Sequence, residues 1–299
     1  SIVYPGNSFF SCLVVNDIFY SLVISSISHP KVVVKLQAFF RRLIFEIPVC
    51  LRHQETKGEM DMNNKVVMIT GASKGLGRAL TLAFAKEGAK LAICSRTPEK
   101  LLKVKEEAQK LGAEVLAVTA DISKSRDVER FIAMAEEEFG HIDVLINNAS
   151  ILGPSPMPLL LDYPEEDFAE VLRVNAVSPF LVTRRVIPGM LERNEGSIIN
   201  VTSEAGHTGY AGWGAYGISK FAVEGLTQTW ADELKETNIR VNMVDPGEMD
   251  TDMHQSAVPD CDYPLAKPED VIEIFLYLAS EKAAAINGQR FEAQAEEGL

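Results

Sequence analysis

From Met62 onward, the sequence alternates between short apolar runs and amphipathic stretches of about ten residues or more. The runs are continuously apolar and rich in β-branched residues, as strands buried on both faces of a sheet require. The stretches between them have the length of helices that connect parallel strands. Because such crossovers are right-handed, the alternation predicts an α/β fold: a doubly wound parallel sheet (Rossmann fold) with helices on both faces.

The predicted elements follow one another without a linker or a change in composition, so residues 62–299 are predicted to form a single domain. The predicted strands are Lys65–Thr70, Lys90–Cys94, Glu114–Val118, Val144–Asn147, Ser197–Val201, Arg240–Val244 and Gln289–Glu292. After a first helix that ends near Gly88, the predicted helices are Pro98–Leu111, Asp127–Phe139, Glu165–Met190, Ala215–Glu236 and Pro268–Ala279.

Residues 1–61 lack this alternation and are rich in Phe, Ile, Val and Ser. Their most apolar stretch carries Asn16 and Asp17 at its middle, and a charge there costs roughly 2.5–3.5 kcal/mol in a spanning helix. A signal peptide would need a basic segment before this apolar stretch, and the sequence has none there. We therefore interpret residues 1–61 as a leader: a translation artefact upstream of Met60 or Met62, a targeting or membrane-associating segment, or an additional structural element.

The overall charge and the cysteines exclude several function classes. A formal net charge of −13 argues against nonspecific binding to nucleic acid or to an anionic membrane, for which a basic surface is needed. The four cysteines and five histidines are scattered, with no CxxC pair and no metal-ligand spacing. We expect neither a metal site nor a disulfide framework, no membrane association for residues 62–299, and a reducing compartment, the cytoplasm.

A glycine-rich turn occupies the junction between the first predicted strand and helix. Its glycines are Gly71, Gly75 and Gly77, spaced G-x3-G-x-G rather than G-x-G-x-x-G. Glycines allow a tight turn and a close approach of backbone N–H groups to an anion, and the following helix presents its positive end there. The position of the turn predicts a binding site for the phosphates of a dinucleotide.

The sequence resembles the classical short-chain dehydrogenase/reductase family over residues 62–292. The resemblance is carried by the TGxxxGxG run that begins at Thr70, by Asn147-Asn148-Ala149, Asn175, Ser203, Tyr216-x3-Lys220 and Pro246-Gly247, in the order and spacing of the family. Ser150 stands where the family usually has Gly, and the end of the chain lacks the frequent VDGG close. The resemblance implies an oxidoreductase that interconverts a carbonyl and an alcohol by hydride transfer.

Such a reaction needs a group that gives a proton to the substrate oxygen or removes one. Tyr216 can do this if its pKa, ordinarily about 10, is lowered; three units require about 4 kcal/mol of preferential phenolate stabilisation. Lys220 lies four residues later on the same predicted helix face and could supply it. Ser203 follows a strand end and could hold the substrate oxygen, and the resemblance implies that Asn175 orders a water in a proton relay.

The second predicted strand ends without the acid that would accept hydrogen bonds from a free ribose 2′-hydroxyl. Ser95 and Arg96 stand there instead, and Lys74 lies in the glycine turn. These groups favour NADP(H), with NAD(H) as an alternative. From these residues and the resemblance, the predicted coenzyme contacts are Gly71, Ser73, Lys74, Gly75, Leu76, Gly77, Ser95, Arg96, Asp121 (adenine), Ile122, Asn148 (adenosine side), Ala149, Tyr216, Lys220, Pro246, Gly247, and Met249 and Thr251 (nicotinamide carboxamide).

Two stretches, Ile151–Pro164 and Asp250–Pro264, are predicted to form the walls of the substrate entrance. Both mix Pro and Met with acids, the first also contains Leu, and neither carries Lys or Arg, which favours a neutral carbonyl or alcohol over an anionic carrier. An acyl-thioester reductase is the alternative enzyme. A catalytically idle dinucleotide-binding scaffold or redox sensor is the alternative outside enzymes, and substitution of the tyrosine or lysine would favour it.

The resemblance also implies a homodimer or homotetramer, formed through the helices predicted at Glu165–Met190 and Ala215–Glu236. Apolar residues on both helices permit this, although core packing explains them equally well: Val171, Val174, Val177, Phe180, Phe221, Leu226 and Trp230. Glu204, His207 and Glu248 lie near the expected cleft and are assigned no catalytic role.

Overall fold

The computed structural model describes residue 60 and residues 62–294. Its sheet has seven strands in the order β3-β2-β1-β4-β5-β6-β7, and every neighbouring pair is parallel. The strands are β1 Val66–Thr70, β2 Lys90–Ser95, β3 Val115–Thr119, β4 Val144–Asn147, β5 Gly196–Val201, β6 Ile239–Asp245 and β7 Arg290–Glu292. The predicted doubly wound parallel sheet is confirmed.

Helices cover both faces of this sheet. They are α1 Gly75–Lys86, α2 Pro98–Lys110, α3 Ser125–Phe139, α4 Glu165–Leu172, α5 Ser178–Arg193, α6 Gly214–Glu233, α7 Asp252–Ala257 and α8 Glu273–Ala279. Alternate residues of β1 show why this strand is apolar throughout: Val67 and Ile69 pack in the layer that contains Phe84 and Phe275, while Met68 packs in the opposite layer with Phe131. Each face of the sheet needs its own apolar side chains, so β1 has no alternation of polar and apolar residues.

The predicted helical stretch Glu165–Met190 is helical throughout and continues to Arg193, but it is not a regular α-helix over its whole length. The chain forms α4, then a π-helical turn at Arg173–Val177, then α5. Pro179 has no N–H group, so it cannot donate the bond that the carbonyl of Asn175 would accept in a regular α-helix. The interruption therefore falls at Asn175, one of the residues singled out by the sequence.

Two further boundaries differ from the prediction. The segment predicted as a helix from Pro268 begins as a 3₁₀ turn, Pro268–Val271, and is α-helical only in α8. Helix α7 was not predicted, because it lies inside the second expected substrate wall. Its start is fixed by Thr251, whose hydroxyl accepts a hydrogen bond from the backbone N–H of His254 at 3.3 Å.

The leader predicted for residues 1–61 lies outside the described residues apart from Met60, so its status stays a prediction. Along the described part of the chain, no helix has the length and apolar character needed to cross a bilayer.

Two adjacent leucines on α2 provide a matched test of the core. Leu101 is 1% exposed and packs against the sheet, whereas Leu102 is 52% exposed. We expect Leu101→Ala to lower the free energy of unfolding by about 2–5 kcal/mol, because it leaves a cavity. Leu102→Ala should change it by no more than about 0.5 kcal/mol. Urea unfolding followed by circular dichroism measures both, and equal losses would contradict the packing described above.

Candidate active site

The glycine turn between β1 and α1 is built so that only glycines fit. Gly71 has a φ of +69°, and a Cβ there would lie 2.7 Å from the Cα of Ala149. A Cβ on Gly77 would collide with the carbonyl oxygen of Gly71. The N-cap of α1, Lys74, makes no side-chain capping hydrogen bond, so the first N–H groups of the helix are available to a ligand. These features form an anion cradle at a helix N-terminus.

Thr70 and Asn148 hold this turn against the end of β4. The hydroxyl of Thr70 accepts hydrogen bonds from the backbone N–H groups of Asn148 and Ala149, both at 3.1 Å. The side-chain amide of Asn148 donates to the carbonyls of Thr70 and Gly71 at 2.9 and 3.2 Å. The sequence placed Thr70 at the start of the TGxxxGxG run but did not reveal these hydrogen bonds.

The predicted adenosine-side residues lie at the ends of β2 and β3. Ser95 is buried at the end of β2, and its hydroxyl bonds to the backbone of Thr97. Arg96 is exposed. Asp121 and Ile122 follow β3, and the carboxylate of Asp121 accepts bonds from the backbone and the hydroxyl of Ser123 at 3.1 and 2.7 Å.

Lys74, in the glycine turn, forms an ion pair. Its Nζ lies 2.8 Å from a carboxylate oxygen of Asp252 on α7, and both side chains are largely exposed. The turn and the wall that follows β6 are therefore joined by an ion pair. Convergence of Lys74 with Arg96 on one phosphate stays a prediction.

Tyr216 and Ser203 meet at the carboxyl end of the sheet. Tyr216, on the first turn of α6, is 9% exposed, and its hydroxyl is hydrogen-bonded to the side chain of Ser203, which follows β5. Burial raises the pKa of Tyr216 to about 12, the Ser203 hydrogen bond opposes the rise, and the charge of Asp245 adds to it. In the chain itself, the phenol is therefore protonated at neutral pH and suited to donate a proton.

Lys220 lies one helical turn further along α6 and is 3% exposed. Its Nζ donates to the carbonyl oxygen of Val201 at 2.9 Å and lies 5.4 Å from the centroid of the Tyr216 ring. Burial lowers the pKa of Lys220 to about 8, and Asp245 opposes this.

Burial raises the pKa of Tyr216 in the chain itself, and a lowering of that pKa by Lys220 stays a prediction. The amine contacts the ring face and a carbonyl rather than the phenol oxygen, and burial opposes charge on both groups. Spacing on a helix placed the two residues together but could not reveal the desolvation.

Asn175, in the π-helical turn, is 2% exposed and fully engaged. Its amide oxygen accepts from the N–H of Ile151 at 2.8 Å, and its amide nitrogen donates to the carbonyl of Ile151 at 2.8 Å and to the hydroxyl of Ser219 at 3.0 Å. The side chain thereby ties the start of the first substrate wall to α6. A water-ordering role for Asn175 stays a prediction.

The loop after β6 contains the remaining predicted coenzyme contacts. Gly247 has a φ of +69°, and the backbone at Pro246 accepts a hydrogen bond from Gln294 at 2.9 Å. Met249 is half-buried and pairs with Ala266 as an isolated bridge. Thr251, the cap of α7, lies beside Gly75 of the glycine turn, so the loop reaches the phosphate cradle.

The two predicted substrate walls come together beside Tyr216. Leu152, Ala205 and Tyr216 form a small apolar cluster, and Met157 and Met253, one from each wall, pack against it. The hydroxyl of Ser155 also donates to the carbonyl of Ser256 across the walls at 2.8 Å. The surroundings of Tyr216 between the two walls are therefore apolar.

The described residues fit a dinucleotide. No group of three or more His, Cys, Asp or Glu side chains in residues 60 and 62–294 could hold a metal ion. The glycine cradle and the uncapped start of α1 suit a diphosphate, as set out above. The hydroxyl of Ser150, at the end of β4, is buried without a hydrogen-bond partner in this part of the chain, as a group that faces a ligand would be.

Comparison with known proteins agrees with this architecture. The short chain dehydrogenase family model matches residues 65–262. The chain is 37% identical over 240 residues to the 3-oxoacyl-(acyl-carrier-protein) reductase FabG of Thermotoga maritima, covering 77% of this chain and 96% of that protein. It is similar in structure to an Escherichia coli short chain dehydrogenase complexed with NADPH, with a TM-score of 0.75, 30% identity, and coverage of 80% and 100% of the two chains.

An NAD⁺-bound xylitol dehydrogenase is also similar, with a TM-score of 0.71, 28% identity, and coverage of 77% of this chain and 98% of that one. The match to the family model extends from β1 into the wall that follows β6 and thus includes the glycine turn, Ser203, Tyr216 and Lys220. This chain belongs to the short chain dehydrogenase family of oxidoreductases.

Proposed function

We propose that this chain is an NADP(H)-dependent oxidoreductase that interconverts a small neutral carbonyl compound and its alcohol. The observation that carries the proposal is the buried phenol of Tyr216, hydrogen-bonded to Ser203 and next to Lys220 in an apolar cleft. Bound coenzyme supplies the hydride that reaches the carbonyl carbon. Tyr216 gives its hydroxyl proton to the carbonyl oxygen, and the two transfers together yield the alcohol.

Each residue of the site has a role that its surroundings support. Ser203 donates a hydrogen bond to the substrate oxygen and holds it beside the phenol. Lys220, with a pKa of about 8, is poised to return a proton after Tyr216 has lost its own. Its ammonium form also stabilises the phenolate that remains, which offsets the cost of burial. Asn175 fixes the wall on which the substrate rests.

The NADP(H) preference is supported by the end of β2. Ser95 and Arg96 stand where an acid would repel a 2′-phosphate, and Arg96 is exposed and able to approach one. The NADPH complex of a similar protein agrees with this preference, and the NAD⁺ complex of another keeps NAD(H) as an alternative coenzyme.

The apolar cleft and the acidic walls support a neutral substrate. Neither Ile151–Pro164 nor Asp250–Pro264 contains Lys or Arg, and Asp162, Asp250 and Asp252 are exposed there. An anionic carrier would meet like charge at this entrance.

Reduction of a 3-oxoacyl thioester is the second candidate. It is favoured by the identity with FabG, whose name describes a substrate attached to acyl carrier protein. Activity on a carrier-bound 3-oxoacyl group well above that on free ketones would favour this candidate over the first.

Loss of the phenol tests the mechanism. We expect purified protein to oxidise NADPH with at least one compound from a panel of ketones, diketones and acetoacetyl thioesters. Tyr216→Phe should lower kcat by about 100-fold or more, because the proton donor is removed. Tyr277→Phe, which alters a half-buried tyrosine on α8, is the matched control and should retain full turnover.

Two results would count against the proposal. Unchanged turnover in Tyr216→Phe would refute the assigned proton donor. Tight NADPH binding with no oxidation across the panel would favour a dinucleotide-binding scaffold or redox sensor.

Arg96 gives the sharper test of coenzyme preference, because Lys74 is already paired with Asp252. Arg96→Ala should weaken NADPH binding by about 10- to 100-fold, the loss of one charge-assisted phosphate contact, and leave NADH binding nearly unchanged. Fluorescence titration with each nucleotide measures both constants. Arg126→Ala, an exposed arginine on α3, is the control, and equal losses for the two nucleotides would exclude a 2′-phosphate contact.

Self-association through α5 and α6 is also part of the proposal. The predicted interface residues differ in how far they are exposed. Val171 and Val174 are buried in the core, whereas Val177, Phe180 and Phe221 are 45%, 36% and 47% exposed. The exposed three, with Ile218, leave apolar surface that a second copy of the chain could cover.

A charge on this surface should therefore dissociate a dimer or tetramer. We expect Phe221→Glu to reduce the molar mass measured by light scattering at least to half that of the parent protein. Leu102→Glu, at an equally exposed leucine on α2, should leave the mass unchanged. A monomeric parent protein would show that the surface has another purpose.

A further inference from the structure

A network of buried charges lies directly behind the proposed acid–base pair. The guanidinium of Arg290, on β7, is 2.7 Å from Asp245 of β6, 3.1 Å from Glu224 of α6 and 3.5 Å from Glu204, and it also contacts Glu292. The side chains of Arg290, Asp245 and Glu224 are only 16%, 6% and 10% exposed. Arg290 lies in the segment where the chain lacks the expected VDGG close.

The network is joined to the catalytic residues through the end of β5. Glu224 is one turn beyond Lys220 on α6 and accepts a hydrogen bond from the hydroxyl of Thr202 at 2.9 Å. Thr202 stands between Val201, whose carbonyl holds the Lys220 amine, and Ser203. Removal of the arginine would leave Glu224 buried without its cation and would loosen this anchor.

Asp245 is the member of the network whose charge reaches the site. It ends β6, and its carboxylate is held by Arg290 and by the N–H of Gly247 at 2.9 Å. Burial raises the pKa of Asp245, while Gly247 and Arg290 oppose the rise. Its negative charge raises the pKa of both Tyr216 and Lys220.

Among the charged groups around Tyr216 and Lys220, the carboxylates of this network outnumber its cations. Asp245 faces it from β6, Glu204 stands in the turn after β5, Arg290 and Glu292 lie on β7, and Glu224 lies on α6 itself. The π-helical turn contributes only the uncharged amide of Asn175, which bonds to Ser219. Four carboxylates thus share one arginine.

We propose that Arg290 is a positioning residue for Tyr216 and Lys220, which balances the buried charge of Asp245 and anchors the end of β5 through Glu224. The inference rests on the proposed function but predicts a property of Lys220 that can be measured without substrate. Neutralising Asp245 removes a negative charge near the amine, and neutralising Arg290 removes a positive one. The two substitutions must therefore shift the pKa of Lys220 in opposite directions.

The direct test is an NMR titration of protein labelled with 13C at lysine Cε, with the Lys220 signal assigned from its loss in Lys220→Arg. We expect Asp245→Asn to lower the pKa of Lys220, and Arg290→Gln to raise it, each by at least about half a unit, because a full charge close to a buried amine has an effect of that order. The pKa of Lys220 in the double variant should lie between its values in the two single variants. Arg185→Gln, which breaks an exposed pair with Glu129, should leave the titration unchanged.

The pH profile of kcat/KM for reduction is the second readout. Its alkaline limb, where the proton donor is lost, should move to lower pH in Asp245→Asn and to higher pH in Arg290→Gln. Arg290→Lys keeps the charge and should restore most of the parent profile.

Three outcomes would overturn the inference: no change in Lys220 titration in either single variant, changes in the same direction, or failure of Arg290→Lys to restore a displaced profile. If Arg290→Gln does not fold, the double variant, in which Asp245 carries no uncompensated charge, is compared with Asp245→Asn: its Lys220 pKa should be the higher of the two, and an equal pKa would overturn the inference. Opposite shifts of Lys220 in a protein that reduces nothing in the panel would refute the proposed function and leave the charge coupling intact.

Discussion

Burial of the parallel sheet on both faces is the constraint on which the rest of the structure depends. Polar chemistry cannot take place on either face, where Phe84, Phe131 and Phe275 are wholly buried among apolar neighbours. It is confined to the strand ends, where loops leave the sheet and hydrogen-bonding groups meet water or ligand. The glycine turn, Ser203 and Asp245 all occupy the carboxyl ends of strands for this reason.

The same burial sets the electrostatics of the site. Tyr216 and Lys220 are held among apolar groups, so charge is unfavourable on both, and burial shifts their pKa values in opposite directions, to about 12 and about 8. A phenol that stays protonated can act as the proton donor, and an amine that readily loses its proton can reprotonate the phenol afterwards. The buried carboxylate of Asp245 and its partner Arg290 then become influential, because a neighbouring charge acts strongly where water does not screen it.

The sequence predicted the strands closely because most of them are short apolar runs between longer amphipathic stretches, the pattern of a buried parallel sheet. Its errors fall where a single backbone group matters. Pro179 removes one N–H, and the long helical stretch contains a π-helical turn at Asn175, while Thr251 starts a helix in a stretch that looked like a loop. Hydrophobic periodicity is a property of many residues together, so it does not reveal one missing backbone N–H donor or one capping hydroxyl.

By itself, the sequence determined the fold, the glycine turn and which residues are candidates for chemistry, because these depend on patterns of neighbouring residues along the chain. The tertiary structure decided their surroundings: that Lys74 pairs with Asp252, that the Lys220 amine binds the carbonyl of Val201, and that Arg290 gathers four carboxylates behind the site. These contacts join residues far apart in the chain. Their strength depends on desolvation, which exists only once the chain has closed around them.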